Sequence, residues 1–354
     1  MKKKRILIYR LGSLGDTIIS LPCFHKIFDY YKNDKIYLLT ITPSNSKETQ
    51  ITSILGPYFN FEKILSYPVS TRNPLVLLSL LLKLRAVGID TIINLSESRG
   101  KLSIIRDYFF FKLAGISNLI GFSSQQKDIS VSFDKHSQLF EWEAKRLSRR
   151  IEALGKFNLQ LDTYWNLHFT EEELEIAKDS IGSVCKSSII AIAPGAKIQA
   201  KDWGSQNWEE LLKVLFNYLP SWKVVVVGSH DEYDLGQKCI QFWPGSLNLC
   251  GKLTPRVSAA VLSKTQIFIG HDSGPMHLAA CVGVPCVAIF SARNLPMQWY
   301  PRGQRNSIIY HKTDCAGCGL DVCISAQKKC ITSISVHEVK NEVLRMIDNY
   351  YGLV

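Results

Sequence analysis

No stretch of this chain is apolar for long enough to cross a bilayer. The longest greasy run, Leu75 to Leu82, is far shorter than the ~20 residues a span needs. A secretion signal is also missing. The basic Met1-Lys-Lys-Lys-Arg5 is followed only by Ile6 to Tyr9 before Arg10 interrupts, too short for the apolar core of a leader. These absences lead us to expect a cytosolic protein whose ten cysteines are mostly reduced. Leu75 to Leu84 is then read as a buried core helix in preference to a membrane-touching face. There is no low-complexity segment and no short-period repeat. No basic region is interleaved with aromatics as a single-strand nucleic-acid groove would be, so nucleic acid is not expected as a partner. The dinucleotide fingerprint G-x-G-x-x-G with a later acidic residue is absent too. The second strand ends in Leu39-Thr-Ile-Thr-Pro43 with no carboxylate for a ribose, which argues against a nicotinamide enzyme.

What is present describes an ordinary globular protein. With 354 residues, 46% hydrophobic and 21% charged, the chain is long enough for two domains of ~150 residues, each with its own core. The net charge of +11 and pI of about 9.1 favour an anionic partner, either an acidic membrane surface or a phosphorylated substrate. Short apolar runs alternate with helical patterns in two similar halves. The first half has strands at Arg5 to Tyr9, Ile36 to Ile41, Thr91 to Leu95 and Leu119 to Gly121. Its helices fall near Thr17 to Tyr31, Leu102 to Ala114 and Glu141 to Leu154. The second half restarts at Ser188 to Ala193, with a helix from Trp208 and a strand at Lys223 to Val227. This alternation points to an α/β fold of parallel sheets covered by helices, with a boundary at about 165–187.

Three clusters carry chemistry. In Arg10-Leu-Gly12-Ser13-Leu-Gly15-Asp16, the glycines allow a sharp turn and close approach of a ligand to the backbone, and Asp16 opens the next helix. Asp16 either caps that helix or serves as general base for an attacking hydroxyl. In Ala193-Pro-Gly195-Ala-Lys197 through Lys201-Asp-Trp203, a strand runs into a loop with two lysines at the carboxyl edge of a sheet, where open α/β folds bind ligands. Lys201, and less clearly Lys197, would stabilise charge on a phosphate leaving group. In Gly270-His-Asp272-Ser273-Gly274-Pro-Met-His277, polar residues gather at a helix N-terminus, whose unpaired N–H groups suit a phosphate. An ordinary βαβ crossover capped by Asp272 or Ser273 is the plain alternative.

Taken together and in this order, the three clusters resemble glycosyltransferase family 9, the ADP-heptose:lipopolysaccharide heptosyltransferases and their relatives, from about Lys4 to the C-terminus. The resemblance implies a GT-B fold, two Rossmann-like domains with parallel sheets facing across a cleft. It places an acceptor domain at 1–165, a nucleotide-sugar donor domain at 188–335, and a final helix in 336–354 that returns to the first domain. It also implies an inverting, metal-independent transfer of a heptose-type sugar from a nucleotide-diphosphate donor, ADP-heptose above all. The acceptor would be lipopolysaccharide core or another lipid-linked glycan at the cytoplasmic face of the inner membrane, with the enzyme a peripheral one. By similarity, Asp16 would be the base, in a turn formed by Arg10, Gly12, Ser13 and Gly15. Gly195, Lys201, Asp272, Ser273, Gly274 and His277 would bind the donor. The chain departs from some relatives where Gly195 and Ala196 replace hydroxyl residues, leaving backbone N–H groups there. His230-Asp-Glu232 sits where an acidic residue would read a ribose, or forms a solvated loop.

Cys315, Cys318, Cys323 and Cys330 have C-x2-C-x4-C-x6-C spacing. They are read either as a structural zinc or iron site or as free thiols with an occasional disulfide, and the resemblance implies that no cofactor is required for catalysis. Two rival functions remain. One is a GT-B nucleotide-sugar 2-epimerase, which would turn over a UDP-sugar without acceptor. The other is a non-catalytic peripheral membrane binding protein, whose lipid binding would survive Asp16→Ala and Lys201→Ala.

Overall fold

Two parallel sheets, each wrapped by helices, account for nearly all the regular structure. The computed structural model describes residues 3–42, 51–68, 71–97, 99–123, 125 and 129–352. The chain divides into Met1–His168 and Phe169–Val354.

The first unit runs β1 (Arg5–Tyr9), α1 (Leu14–Tyr30), β2 (Lys35–Thr42), a short α2 (Thr52–Leu55) and β3 (Lys63–Pro68). It continues with α3 (Pro74–Val87), β4 (Thr91–Asn94), α4 (Lys101–Leu113) and β5 (Asn118–Ile120). A two-strand ribbon, β6 (Phe133–Asp134) and β7 (Leu139–Phe140), precedes α5 (Glu143–Arg150). The sheet order is β3-β2-β1-β4-β5, every pairing parallel. Ile6, Leu7 and Ile8 are fully buried, the continuous apolar run expected of a central parallel strand covered on both faces. Asn73 caps α3 by accepting from Leu75 N, with Pro74 at the first helical position, where its missing N–H costs nothing.

The second unit opens with α6 (Glu171–Ile181), capped by Thr170 and Glu173 in a reciprocal box. Then come β8 (Ile189–Ala193), α7 (Ser205–Tyr218), β9 (Lys223–Val226), α8 (Tyr233–Ile240), β10 (Leu247–Asn248) and α9 (Pro255–Leu262). β11 (Ile267–His271), α10 (Gly274–Cys281), β12 (Cys286–Phe290), β13 (Ser307–Tyr310), α11 (Lys329–Thr332) and α12 (Val336–Tyr351) complete it. The sheet order is β10-β9-β8-β11-β12-β13.

One expectation needs correction. The helix at Leu75 to Leu84 is not a buried one: α3 buries only Leu80 and Leu84, while Leu75, Leu78 and Leu82 are exposed. A helix apolar on every side normally reads as buried, but α3 lies on one face of the sheet and so has an outer side. In α12, Val339, Val343, Met346 and Ile347 are buried in the core of the second unit with Trp203 and Trp208. At roughly 1.5–3 kcal/mol per fully buried apolar side chain, this contact holds the helix there.

Candidate active site

In both sheets the connections run opposite ways from one pair of neighbouring strands, β1 and β4 in the first, β8 and β11 in the second. At such a point the loops beyond the strand carboxyl ends diverge and leave a crevice, the usual ligand position in open α/β sheets. All three sequence clusters lie at these two places.

At the first, β1 leads into the Arg10–Ser13 turn. Gly12 has φ of +131° and a Cβ there would stand 2.7 Å from Asp16 Cβ, so glycine is needed both for the backbone and for space. Ser13 caps α1 with Asp16 at the third helical position. The Ser13 N–H and Oγ–H both donate to Asp16 Oδ2, at 2.6 and 2.7 Å. The capping role and the catalytic role are therefore compatible: the cap uses one oxygen and orients the other. Oδ1 lies 3.7 Å from Arg10 Nη2, and the Asp16 side chain keeps 15% of its surface exposed. Arg10 is buried, donating from Nη1 to Leu95 O at 2.6 Å. Its Nε and Nη2 have no hydrogen-bond partner. Such unsatisfied buried donors cost about 1–3 kcal/mol or more, so they favour an incoming acceptor atom. Gly15 is buried in the first turn of α1.

Sequence reasoning missed the other side of this crevice. The loop after β4 is fixed by Arg146 Nη2 and Arg150 Nη1, both donating to Ser96 O at 3.1 and 2.7 Å. Ser96 N and Oγ donate in turn to Asn94 Oδ1. Arg146 is itself neutralised by Glu143 in a buried pair. This loop presents Glu97, whose carboxyl is pushed above its usual range by the protein packed around it and then by the Asp16 charge. The available signal was α5 itself, where Glu143, Arg146 and Arg150 share a face with the buried Ala144 and Leu147. Charges on a core-facing stripe are rare unless paired for a purpose.

At the second crevice, Ala193 and Gly270 are register partners, so the loops after β8 and β11 leave the sheet side by side. Lys201 Nζ donates to Asp272 O at 2.9 Å and pairs with Asp272 Oδ2 at 2.8 Å. Asn294 Nδ2 donates to the same Oδ2 at 2.7 Å. His277 Nε2 is 4.0 Å from Asp272 Oδ1. His271 stitches the loops together: its Nδ1–H donates to Gly195 O at 3.0 Å, and its Nε2 accepts from Trp203 N at 3.1 Å. Burial lowers its pKa from 6.5 to about 4, so the ring is neutral, as these bonds require.

The α10 N-terminus begins at Ser273, whose extended backbone starts the helix without a side-chain cap. Ser273 Oγ is buried and without a partner. Gly274 follows with Pro275, so the exposed donors of the first turn and the Ser273 hydroxyl are free for an anion. Glu232 lies across the same strand ends: a Cβ at Gly195 would overlap its carboxylate, and one at Gly228 would come within 2.5 Å. Its Oε2 accepts from Ser229 N at 2.6 Å. Lys197 is exposed. Asn294 joins the set on structural grounds and had no local sequence signal.

Among the described residues no group of three or more Cys, His, Asp or Glu side chains is arranged to hold a metal ion. Cys315 and Cys318 are exposed, Cys323 and Cys330 half-buried, and as placed they do not close a tetrahedral site. Their segment instead buttresses the lysine turn. Ala200 N donates to Asp321 O at 3.0 Å, Cys323 N to Gln199 Oε1 at 2.9 Å, and Lys328 Nζ to Asp202 O at 2.9 Å.

The model of glycosyltransferase family 9 (heptosyltransferase) matches residues 77–328. Lipooligosaccharide heptosyltransferase 2 of Campylobacter jejuni is 22% identical over 351 residues, covering 97% of this chain and 99% of that protein. A glycosyl transferase family 9 structure from Veillonella parvula is similar with a TM-score of 0.69 at 17% identity, covering 99% of this chain and 98% of that one. ADP-heptose LPS heptosyltransferase II of E. coli is similar with a TM-score of 0.63 at 18% identity, covering 98% and 99%. These structures share the α/β GT-B fold with this chain. The family match spans well over half of the sequence, and the chain belongs to glycosyltransferase family 9, as a glycosyltransferase.

Proposed function

We propose that this enzyme transfers a heptose-type sugar, with inversion, from a nucleotide-diphosphate donor to a lipopolysaccharide core or other lipid-linked glycan, with ADP-heptose as the donor. The observation that carries this reading is the second crevice: an ion-paired lysine beside a helix N-terminus with an unpartnered buried serine hydroxyl. A diphosphate leaving group calls for such positive, preorganised donors.

Asp272 and Asn294 hold Lys201 in place, so the ammonium has one N–H left for a phosphate oxygen. Ser273, the Gly274 turn and the backbone of the Gly195 loop supply further donors, His277 lines the sugar side, and Glu232 accepts from the ribose hydroxyls. In the first unit, Asp16 Oδ1 takes the proton from the acceptor hydroxyl as its oxygen attacks the anomeric carbon. The bond to the diphosphate breaks from the opposite side, inverting the centre. Arg10, with Nη2 3.7 Å from Asp16 Oδ1, orients the carboxylate. Among the described residues no helix is long and apolar enough to cross a membrane, and the enzyme reaches its lipid-linked acceptor as a peripheral protein at the cytoplasmic membrane face.

The test is a thermal-shift panel of ADP-, UDP-, GDP- and dTDP-sugars, since a ligand that binds only the folded state stabilises it by mass action. ADP-heptose should give the largest shift, abolished in Lys201→Ala. A larger shift with a UDP-sugar, together with turnover lacking any acceptor, would reject the transferase reading in favour of an epimerase.

A further inference from the structure

The charge of this protein is concentrated in one half. Residues 1–168 carry 24 Lys and Arg against 14 Asp and Glu, a net +10, while residues 169–354 carry 18 against 17, a net +1. The donor half, where a diphosphate is proposed to bind, is therefore nearly neutral, and the basic excess lies on the other unit.

On that unit, α3 and α4 cover the same side of the first sheet. Leu80 and Leu84 of α3 and Phe111 of α4 share one core with Leu7 and Tyr9. Arg85 Nε and Nη2 tie the ends of the two helices by donating to Leu113 O at 3.0 and 2.7 Å. Their outer sides are apolar. On α3, Leu75, Leu78 and Leu82 are 73, 52 and 54% exposed. Their spacing of three and then four residues puts them on one stripe. On α4, Leu102, Phe109 and Leu113 are 83, 60 and 62% exposed at spacings of seven and four, again one stripe. Soluble monomers rarely leave such contiguous patches to water unless something covers them.

The ionic groups around the stripes have one sign. Lys83, Lys101 and Arg106 are exposed on these helices, and Arg106 lies one turn from both Leu102 and Phe109. α3 contains no acidic residue. The one acid of α4, Asp107, is buried and paired with Arg99 and Arg106. Exposed leucines and phenylalanine on helices lying flat, ringed by cations with no exposed carboxylate on either helix, match an interface of acyl chains under anionic headgroups.

We propose that the outer face of α3 and α4 docks on an anionic lipid bilayer. This rests on the reading of a lipid-linked acceptor and names the surface that brings the acceptor half to it. The apolar stripes sink below the headgroups while Lys83 and Lys101 meet lipid phosphates. Another protein with a hydrophobic face would instead require carboxylates to meet these cations, and a second copy of this chain would set like charges against each other at the same face.

The test is co-sedimentation of the full chain with phosphatidylcholine vesicles, with and without phosphatidylglycerol. Wild type should bind only the anionic vesicles and be released by salt, because surface attraction is screened over a Debye length. Lys83→Glu/Lys101→Glu should weaken binding by about fivefold or more per charge. Leu78→Ser/Leu82→Ser/Phe109→Ser should abolish it, with circular dichroism and donor-induced thermal shift as in wild type. Equal binding by the variants, or equal binding to neutral vesicles, would overturn the proposal. So would a wild-type dimer that the leucine variant dissociates, which would assign the face to a second copy. Transfer by wild type to a delipidated acceptor is followed in parallel: transfer without vesicle binding refutes the docking face alone, and vesicle binding without transfer refutes the proposed reaction alone.

Discussion

His271 should give the second unit a measurable acid sensitivity. Its imidazole is fully buried, donates from Nδ1 to Gly195 O and accepts at Nε2 from Trp203 N. A second ring proton would place two donors face to face at Nε2. Burial accordingly lowers its pKa from 6.5 to about 4. Below 6.5 the unfolded chain binds a proton that the folded chain refuses, so stability falls as pH drops through this window and levels off below about 4. A tenfold change in proton affinity is worth ~1.4 kcal/mol, so the loss is on the order of 2 kcal/mol between about pH 7 and about pH 5. Urea denaturation followed by tryptophan fluorescence reports it, because Trp203 and Trp208 pack around His271. Glutamine in place of His271 can still donate and accept but cannot titrate, and His25, whose pKa burial also lowers, is unchanged in that variant. Wild type should lose about 2 kcal/mol more than His271→Gln over this range. Equal pH slopes would refute the role given to His271.

Three further outcomes follow from the geometry. Gly12→Ala forces a side chain against Asp16 at φ of +131°, and should cut turnover by about 10²-fold or more, as displaced acid–base groups do, while leaving donor affinity unchanged by calorimetry. Arg146→Met strands buried Glu143 and frees the Ser96 loop, and should destabilise the first unit by about 3–5 kcal/mol, read as a lower urea midpoint. Zinc and iron analysis of protein purified under reducing conditions tests the cysteine segment, and less than ~0.2 equivalents of either metal would leave the four cysteines as free thiols.

Local signals carried much of this fold. Arg5 to Tyr9 forms a strand with the ends that its apolar run and flanking turn indicate. The Gly12–Asp16, Gly195–Lys201 and Asp272–His277 clusters all lie at strand carboxyl ends where topology reverses, because glycine, proline and cap residues mark such turns within a few positions. What was hidden is long-range. Arg10 meets Leu95, Lys201 meets Asp272, and Arg150 meets Ser96 across separations of 85, 71 and 54 residues, and no local pattern encodes such pairs. β3 and β13 were missed because Lys63–Pro68 and Ser307–Tyr310 are edge strands that bury too little to show a clear apolar run. The outer face of α3 was misread because hydropathy counts leucines without knowing which side of the helix the sheet occupies.

The proposed mechanism makes Asp16 the base and leaves the donor to the second unit alone. Single-turnover transfer and donor affinity, measured side by side for Asp16→Asn, separate these two roles. The substitution keeps the Ser13 cap geometry through the amide oxygen while removing the basic Oδ1. Transfer should fall by about 10³-fold or more, with donor affinity within about twofold of wild type. Retained transfer, or a large loss of donor binding, would contradict the assignment of Asp16.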